Sequence, residues 1–539
     1  MALPQLFACL SHPLKEVEYD KTQVEKQGVA IAVNKDVDII FVIDNSGSMA
    51  EEQALLSANF AAFVNVLEAD DVKANYRMAI TTTDNGNPRC PKADTTPEGG
   101  AFVLSSCIDR IDVGDFLFKG VDPALDASAT CTDYCTKDDT ALAIRPTSTD
   151  LDPTEKARPW LQNIEGETNL PNGVSTVEAF QCFGPQGISG CGFESHLESM
   201  YKALGRTDQM ADPQYGFLRD QAILSIVVVS DEADCSYPEE HKAIFIDNKV
   251  FWNDMADPIP TSAVCWRAGV SCEGSGPSYT TCKSENWDEA GNPGASDADA
   301  VLHPLSRYVT ALSQIESDKQ DFDSGQEVLF ALIGGVPPGY KTAADAIYED
   351  SSDPVLQGDF GIGPGCTSMV GGTAVPPVRL REFAETFQVG SDPNIFSICD
   401  PDYSVALKAI ADKIRDQIKP ACMPQCVADK DTTTPTLEPD CKLAEEITAT
   451  GQVTPVPLCE KQGNSFVPPA GSKVCHILLT DPDGATASTD DDMSMECVEE
   501  GWNLEFKIFR DGPAPAGSTL SATCILSNLP AVDCPGLGG

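Results

Sequence analysis

Four apolar runs, set far apart along the chain, constrain the fold more than any other feature of the sequence. They read VDIIFVI, RMAITT, ILSIVVV and VLFALI, at residues 37–43, 77–82, 223–229 and 328–333. A strand with one face in water alternates apolar and polar residues, whereas these runs are nearly continuous in their apolarity. That pattern is typical of strands covered on both faces, as in a parallel sheet. The runs therefore predict a buried, mostly parallel sheet at the centre of the protein.

Helical periodicity falls between these runs. An apolar stripe at helical spacing follows the first run and is formed by Leu56, Phe60, Phe63, Val64 and Leu67. Similar stripes occupy residues 193–204 and 407–418. Strand and helix therefore alternate, which predicts a doubly wound, Rossmann-like α/β domain.

Composition shifts along the chain suggest the domain boundaries. Residues 1–28 are polar and of mixed charge, which is typical of a tether, and the α/β domain is expected over 29–420. Within it, about 85–180 and 236–320 are rich in Cys, Pro, Gly, Asp and Ser, and we interpret them as disulfide-rich insertions on the sheet. Residues 421–539 contain short β-type segments such as HILLT and further cysteines, which predict a small, cysteine-rich β domain.

The chain contains 21 cysteines and only 5 histidines. The spacings Cys131-x3-Cys135 and Cys422-x3-Cys426 resemble metal sites in isolation, but no partner pair with histidine follows at ligand spacing. Disulfides formed in an oxidising, extracytoplasmic compartment are therefore the favoured interpretation.

An odd number of cysteines leaves one thiol without a partner. The segment LFAC, ending at Cys9, resembles the lipobox of bacterial lipoproteins, and a lipidated Cys9 would leave 20 cysteines to pair. The residues before Cys9 lack the charged and apolar regions of a signal peptide, so we interpret the start Met1-Ala2-Leu3-Pro4 as either a truncated or a mis-called signal. A free Cys9 on a frayed tail is the alternative. No other stretch is long and apolar enough to span a membrane.

The charge excludes two classes of partner. With 83 acidic and 36 basic residues the formal net charge is −47, which repels nucleic acids and anionic lipid headgroups and attracts cations. We therefore expect no nucleic-acid partner, and a membrane association only through a lipid at Cys9. No GxSxG, HExxH or P-loop motif is present, so no enzyme is predicted.

Hard oxygen donors follow two of the predicted strands. The first run ends in DNSGSM, which places Asp44, Ser46 and Ser48 within five residues, and Asp231 follows the run ILSIVVV. Sites in open α/β sheets form at the carboxyl ends of the strands, so these side chains are expected at one edge. Carboxylates and hydroxyls suit Mg²⁺, Ca²⁺ or Mn²⁺ rather than zinc. Plain turn chemistry is the alternative for the same residues.

The motif DxSxS after a buried strand, with a later strand ending in Asp, resembles the von Willebrand factor type A (vWA) domain and its metal-ion-dependent adhesion site. The phrases GCGFES, FLRDQAILSIVVVSDEADCS and VCWRAGVSC narrow the resemblance to cysteine-rich bacterial surface lipoproteins over about residues 30–420. The resemblance implies that Asp44, Ser46, Ser48 and Asp231 hold a divalent ion, with Asp231 acting through a bound water.

The family's threonine ligand has no direct counterpart here. The loop reads GISGCGFES, and Ser189 is our candidate substitute, with an ordinary helix-entry serine as the alternative. Thr83 and Asp84 are expected to border the site, or to form a plain turn. His196 lies on the following helix, close to the site, with an exposed helix histidine as the alternative.

These observations predict an exported surface protein, anchored as an outer-membrane lipoprotein or otherwise held at the cell surface. Its α/β domain would bind a protein partner through a divalent ion whose shell an acidic partner side chain completes. The alternatives are a structural subunit of a cell-envelope assembly, in which the ion only locks the fold, and a metal-assisted hydrolase.

Overall fold

The structure is a computed structural model. It describes residues 27–31, 35–69, 72–90, 95–320, 326–369, 371–418, 421–423, 425–430, 437–447, 452–462, 465–480, 493–494, 497–498, 501–510, 518–530 and 534. The chain divides into two compact units. We call Asn34–Lys419 the sheet unit, and Met1–Val33 together with Pro420–Gly539 the terminal unit.

A seven-stranded sheet forms the centre of the sheet unit. Its strands are β1 Asp36–Ile43, β2 Asn75–Thr82, β3 Leu161–Ile164, β4 Glu167–Thr168, β5 Ile223–Val229, β6 Leu329–Gly334 and β7 Ile395–Ser397. They lie in the order β7-β6-β5-β1-β2-β3-β4. Strands β7 to β2 are parallel, and β3 and β4 extend one edge in the antiparallel sense. The prediction of a buried, mostly parallel sheet is confirmed.

Helices cover both faces of this sheet. They are α1 Ala50–Asn59, α2 Ala61–Leu67, α3 Thr176–Phe183, α4 His196–Arg206, α5 Leu305–Gln320, α6 Val378–Thr386 and α7 Ser404–Gln417. The side chains of β1 alternate between two apolar cores: Phe41 packs into the core containing α1, α2 and α7, whereas Ile40 and Val42 pack into the core containing α4, α5 and α6. Because both faces are buried, the run needs apolar residues at every position, which explains its continuous apolarity.

The loops between these elements carry short secondary structure. The helices are Cys107–Val113, Ala129–Thr132, Ala243–Ile246, Ala263–Gly269 and Pro354–Phe360, with 3₁₀ turns at Glu239–His241, Lys249–Phe251 and Ala343–Asp345. Three two-stranded ribbons pair Leu117–Phe118 with Leu125–Asp126, Val270–Ser275 with Ser278–Ser284, and Cys366–Thr367 with Thr373–Ala374. The expected insertions also supply β3, β4 and α5, so part of each belongs to the sheet and its core.

Twenty cysteines pair in ten disulfides, as the cysteine count predicts. The pairs are 90–191, 107–131, 135–182, 235–265, 272–282 and 366–399 in the sheet unit, and 422–497, 426–534, 441–524 and 459–475 in the terminal unit. The four cysteines of the metal-like spacings Cys131-x3-Cys135 and Cys422-x3-Cys426 are all in disulfides, each with a cysteine outside its motif. Cys9 lies outside the described residues.

The terminal unit consists of small antiparallel sheets, as expected for a β-rich domain. One sheet contains Gln27–Ile31, Ser518–Cys524, Cys441–Ile447 and Gln452–Val456, in that order; a second contains Ala421–Cys422, Glu505–Arg510 and Val474–Leu479; and Glu460–Gln462 pairs with Ser465–Val467. Composition predicts that the tether ends at residue 28 and that the α/β domain begins at residue 29. In the structure, Gln27–Ile31 form one strand of the terminal unit, with Gly28 opposite Thr523. Within the described residues, no helix combines the length and apolarity needed to cross a bilayer.

Candidate metal centre

The register of β1 and β5 brings the two acidic strand ends together. Ile43 lies opposite Val229, and the Asp44 amide donates to the Val229 carbonyl at 3.0 Å. Asp44 and Asp231 therefore follow neighbouring parallel strands at the same edge of the sheet, which is where the sequence places them. Both side chains are buried.

Local hydrogen bonds hold the DNSGS turn. The Asp44 Oδ1 atom accepts from the Ser46 amide at 2.8 Å, and the hydroxyl oxygens of Ser46 and Ser48 are 3.4 Å apart. From α1, the buried amide of Gln53 donates to the carbonyls of Asp44 and Gly187, both at 2.8 Å. Ser46 is buried whereas Ser48 is exposed, so the turn lies at the boundary between the interior and solvent.

Asp231 has an unsatisfied oxygen in this environment. Its Oδ1 atom is buried and has no hydrogen-bond partner among the described residues. Burial raises the pKa of Asp231 well above its ordinary value, and the nearby charges of Asp44, Glu232 and Glu52 raise the pKa further, while hydrogen bonding from Ser48 opposes the rise. A bound cation would satisfy the open oxygen and reverse the repulsion.

A buried charge chain keeps Asp44 ionised. Burial by itself would raise the pKa of Asp44, but hydrogen bonding and charge from His196 lower it, helped by Ser230 and the Ser46 amide. The Ser230 hydroxyl donates to Asp44 Oδ2 at 2.6 Å and lies 2.6 Å from His196 Nε2. Burial likewise opposes protonation of His196, yet Asp234 and Asp44 raise its pKa to about 9. His196 is fully buried, so its interpretation as an exposed helix histidine is wrong.

The far end of this chain is also paired. His196 Nδ1 is 3.7 Å from Asp234 Oδ1, and Asp234 Oδ2 accepts from Arg379 Nε at 3.1 Å. Ser230, His196 and Asp234 have the residue types and the sequence of contacts of a hydrolytic triad. Ser230, however, is fully buried and donates its proton to Asp44, so it is a supporting residue for the carboxylate rather than an accessible nucleophile.

The remaining sequence candidates lie on the loops beside this centre. Ser189 is half-buried, and the next residue, Gly190, donates from its amide to the Asn45 carbonyl at 2.8 Å. In the described part of the chain, the Ser189 hydroxyl makes no hydrogen bond to Asp44 or Asp231. Asp84 accepts from the amides of Gly86 and Cys191, which gives it a role in loop geometry.

The buried hydroxyl of Thr83 has no partner among the described residues, and the Thr83 carbonyl accepts from the Ser195 amide at 3.0 Å. Thr83 therefore borders the same group of loops.

Sequence reasoning missed three carboxyl groups. Glu52, Glu194 and Glu232 are buried around the same centre, and Glu52 Oε2 and both oxygens of Glu194 have no hydrogen-bond partner in the described residues. Burial, together with nearby acids, raises the pKa values of Glu52 and Glu232 to about 7. The available signal was adjacency, because Glu232 follows Asp231 directly and Glu194 stands in GCGFES.

The donor set suits a hard cation held partly by hydroxyls and water. In the described part of the chain, Cys107, Cys131 and Cys135 form the trio of potential ligand atoms that lie within 4.8 Å of one another, and all three are in disulfides. No three acidic side chains of the described residues bring their oxygens that close together. Oxygen donors of this type suit Mg²⁺, Ca²⁺ or Mn²⁺, which also accept hydroxyl and water ligands.

Two further loops border the centre, one from the first insertion and one around residues 369–372. A Cβ on Gly47 would lie 2.8 Å from the Phe118 ring, so the hairpin carrying Phe118 packs on the DNSGS turn. A Cβ on Gly372 would lie 3.6 Å from Glu51 Oε2 and 3.8 Å from Glu52 Oε1. Met369, on the same loop as Gly372, has 87% of its surface exposed.

Neither a protein-family model nor a curated protein matches the sequence. The comparison with solved structures matches the chain to two crystal structures of the pilus adhesin SpaC from Lactobacillus rhamnosus GG, one of them in an open conformation. The identities are 8% and 10%, the TM-scores are 0.26 and 0.27, and each match covers 92% of this chain. This chain covers 40% of the length of SpaC. A TM-score this low carries no argument about function.

Proposed function

We propose that the sheet unit is a cation-dependent binding domain. Asp44, Ser46, Ser48 and Asp231 hold one divalent ion, Mg²⁺, Ca²⁺ or Mn²⁺, and an acidic side chain of a protein partner completes its shell. The observation that carries the proposal is the buried, unpartnered Asp231 Oδ1 beside Ser48, a residue exposed to solvent. Such an arrangement offers an ion anionic ligands on its protein side and leaves its solvent side open.

The resemblance to vWA domains supports the same proposal. The motif DxSxS follows β1, and Asp231 follows the neighbouring parallel strand β5, as the family pattern requires. Ser189 remains the candidate for the family's threonine ligand, on the loop that contacts Asn45. The loops carrying Phe118 and Met369 would then select the partner, because they border the turn and the acid cluster.

We further propose that the protein is exported and held at the cell surface. The ten disulfides support an oxidising compartment, since thiols in reducing compartments remain unpaired. A lipid on Cys9, with outer-membrane attachment, is the proposed anchor. Mass spectrometry of protein purified from its native membrane is expected to find an acylated N-terminal Cys9. Unmodified residues upstream of Cys9 in the mature protein would contradict the anchor.

Two rival functions predict different behaviour of the ion. A purely structural ion in an envelope subunit would be closed to solvent, and a hydrolase would turn over a substrate. The test loads the full chain with Mn²⁺ and measures the relaxation rate of the water protons. We expect relaxation enhancement from exchanging water on Mn²⁺, and a decrease when a short glutamate-containing peptide is added. Asp44→Ala is expected to abolish both effects. The control is Asp297→Ala, which removes an exposed acid between the strand Ser278–Ser284 and α5 and is expected to retain both effects.

Bound Mn²⁺ that shows no exchanging water, or whose water the peptide does not displace, would contradict partner binding and favour the structural rival.

A further inference from the structure

Two buried glutamates lie beside the proposed centre but outside its ligand set. Glu194 lies in the loop that enters α4, and Glu232 follows β5. Glu194 has no exposed surface and Glu232 is 8% exposed. The two carboxyl groups are close enough for each to shift the pKa of the other, with burial as the larger cause in both.

These glutamates lack the partners that buried carboxyls normally have. Neither oxygen of Glu194 has a hydrogen-bond partner among the described residues, and no basic side chain described pairs with Glu194 or Glu232. The two buried cations described for this centre are engaged by other acids, because His196 lies between Asp44 and Asp234, and Arg379 binds Asp234. Buried charges are ordinarily paired or bound to metals, so this pair requires either a shared proton or a cation.

The backbone around the pair is firmly fixed. The Glu194 carbonyl accepts from the Cys235 amide at 2.7 Å, and Cys235 is disulfide-bonded to Cys265. The Ser262 hydroxyl donates its proton to the Gly192 carbonyl at 2.9 Å, and it lies beside the Glu232 carboxyl with its oxygen lone pairs available. The two carboxyls and one hydroxyl are thus held together by a cross-linked framework, as a preformed site requires.

The charge of the whole cluster indicates more than one ion. Asp44, Glu52, Glu194, Asp231 and Glu232 are buried acids whose charges act on one another, and the imidazolium of His196 lies beside Asp44. Fully ionised, this group carries a net charge of about −4, which one divalent ion leaves half-neutralised and two neutralise.

We propose that Glu194 and Glu232, with Ser262 beside them, bind a second divalent cation next to the Asp44 centre. Carboxylates that can each donate two oxygens favour Ca²⁺, which accepts six to eight ligands in flexible geometry, over Mg²⁺. The second ion links the loop before α4 to the loop after β5. The proposal goes beyond the proposed function, because it uses different ligands and needs no partner protein.

Equilibrium dialysis of the full chain against Ca²⁺ tests this site, with bound metal counted by mass spectrometry at about 0.15 M salt to screen surface charges. We expect two Ca²⁺ per wild-type chain and one in Glu194→Gln/Glu232→Gln. Glu239→Gln/Glu240→Gln makes the same charge change at two exposed positions and is expected to retain two.

The outcomes separate this site from the proposed function. One ion in the wild type that is lost in Asp44→Ala and kept in the Glu194/Glu232 variant overturns the second site alone. One ion with the opposite dependence supports the second site and overturns the centre at Asp44. No bound ion overturns both.

Infrared spectroscopy of Asp44→Ala, in which the first centre cannot bind metal, gives an answer if the double variant does not fold. We expect Ca²⁺ to decrease the protonated-carboxyl band of this variant, because the second site still binds the ion. A band that Ca²⁺ leaves unchanged in Asp44→Ala would overturn the second site.

Discussion

At the scale of single residues, His196 does more for the centre than its place in the sequence suggests. Its imidazolium lies between Asp44 and Asp234. The Ser230 hydroxyl lies between His196 and Asp44, with a hydrogen bond of 2.6 Å to each. Partners behind a metal ligand fix the orientation and charge of that ligand. We therefore regard His196 and Ser230 as positioning residues for Asp44.

Removing this support should weaken metal binding. For His196→Gln and Ser230→Ala we expect the Ca²⁺ affinity to fall by roughly 10-fold to 100-fold, as is usual for partners of metal ligands. Calorimetric titration measures the affinity, and His241→Gln, a histidine paired with Glu289 elsewhere in the sheet unit, is the control. Wild-type affinity in folded variants of both residues would contradict a positioning role.

The metal-free protein should lose stability as pH rises. Glu52 and Glu232 have folded-state pKa values of about 7, above the ordinary 4.5, and His196 has one of about 9, above 6.5. Groups with raised pKa values stabilise the fold below their unfolded pKa, and that contribution is lost as pH passes the folded pKa. The free energy of unfolding in chelator should therefore decrease between about pH 5 and pH 9.

Denaturant titrations across this range measure the effect. Saturating Ca²⁺ should reduce the slope, because bound cations replace the protons. A metal-free protein more stable at pH 9 than at pH 5 would contradict the account of these acids.

The sequence identifies part of this centre and misses the rest for a physical reason. Asp44 and Asp231 could be found because they directly follow apolar runs, and strand register then brings them together. For Glu52, Glu194 and Glu232 the sequence offers only nearness to the motifs, because acidic residues are ordinarily exposed and their burial here depends on how distant loops pack.

At the scale of secondary structure, the runs predicted the buried strands closely, and ILSIVVV coincides with β5. The stripe from Leu56 to Leu67 predicted one helix, whereas the structure has two, α1 and α2, meeting at Phe60. Periodicity reports which side chains face the core, and Phe60 and Phe63 do pack on Phe41. It does not report a backbone break that keeps those side chains on one face.

Helix α1 also anchors the metal turn through Gln53. Its side chain donates to the carbonyls of Asp44 and Gly187 and accepts from the Gln186 amide at 2.8 Å. Gln53→Ala leaves these buried backbone groups without partners, so we expect a loss of about 3 kcal/mol in unfolding free energy. Chemical denaturation measures this loss, and Gln314→Ala, at an exposed position on α5, is the control. A loss no larger than in the control would contradict the anchoring role.

At the scale of the whole molecule, the terminal unit is assembled from both ends of the chain. Strand Gln27–Ile31 pairs with Ser518–Cys524, which pairs in turn with Cys441–Ile447. This pairing could not be predicted from the sequence, because strand pairing across about 490 residues leaves no local pattern and the five-residue segment QGVAI is too short to show strand periodicity by itself.

Removing residues 1–31 should therefore affect one unit selectively. We expect the deletion to destabilise the terminal unit, because Ser518–Cys524 becomes an edge strand, while metal-dependent stabilisation of the sheet unit is retained. Hydrogen exchange of peptides from each unit, with and without Ca²⁺, measures the two effects separately. Equal loss of protection in both units would contradict this division.

The central claim is that Asp44 anchors a divalent cation. Thermal melts of the wild type and Asp44→Ala, each in chelator and in Ca²⁺, Mg²⁺ or Mn²⁺, test it most directly. Asp231→Ala should reduce the metal-dependent stabilisation less than Asp44→Ala does, if Asp231 acts through a bound water. We expect the wild type to gain about 2.7 kcal/mol at a hundredfold excess of metal over the dissociation constant. Asp44→Ala should melt at the same temperature in chelator and in metal. A wild type indifferent to chelator, or an Asp44→Ala variant with an unchanged metal response, would contradict the claim.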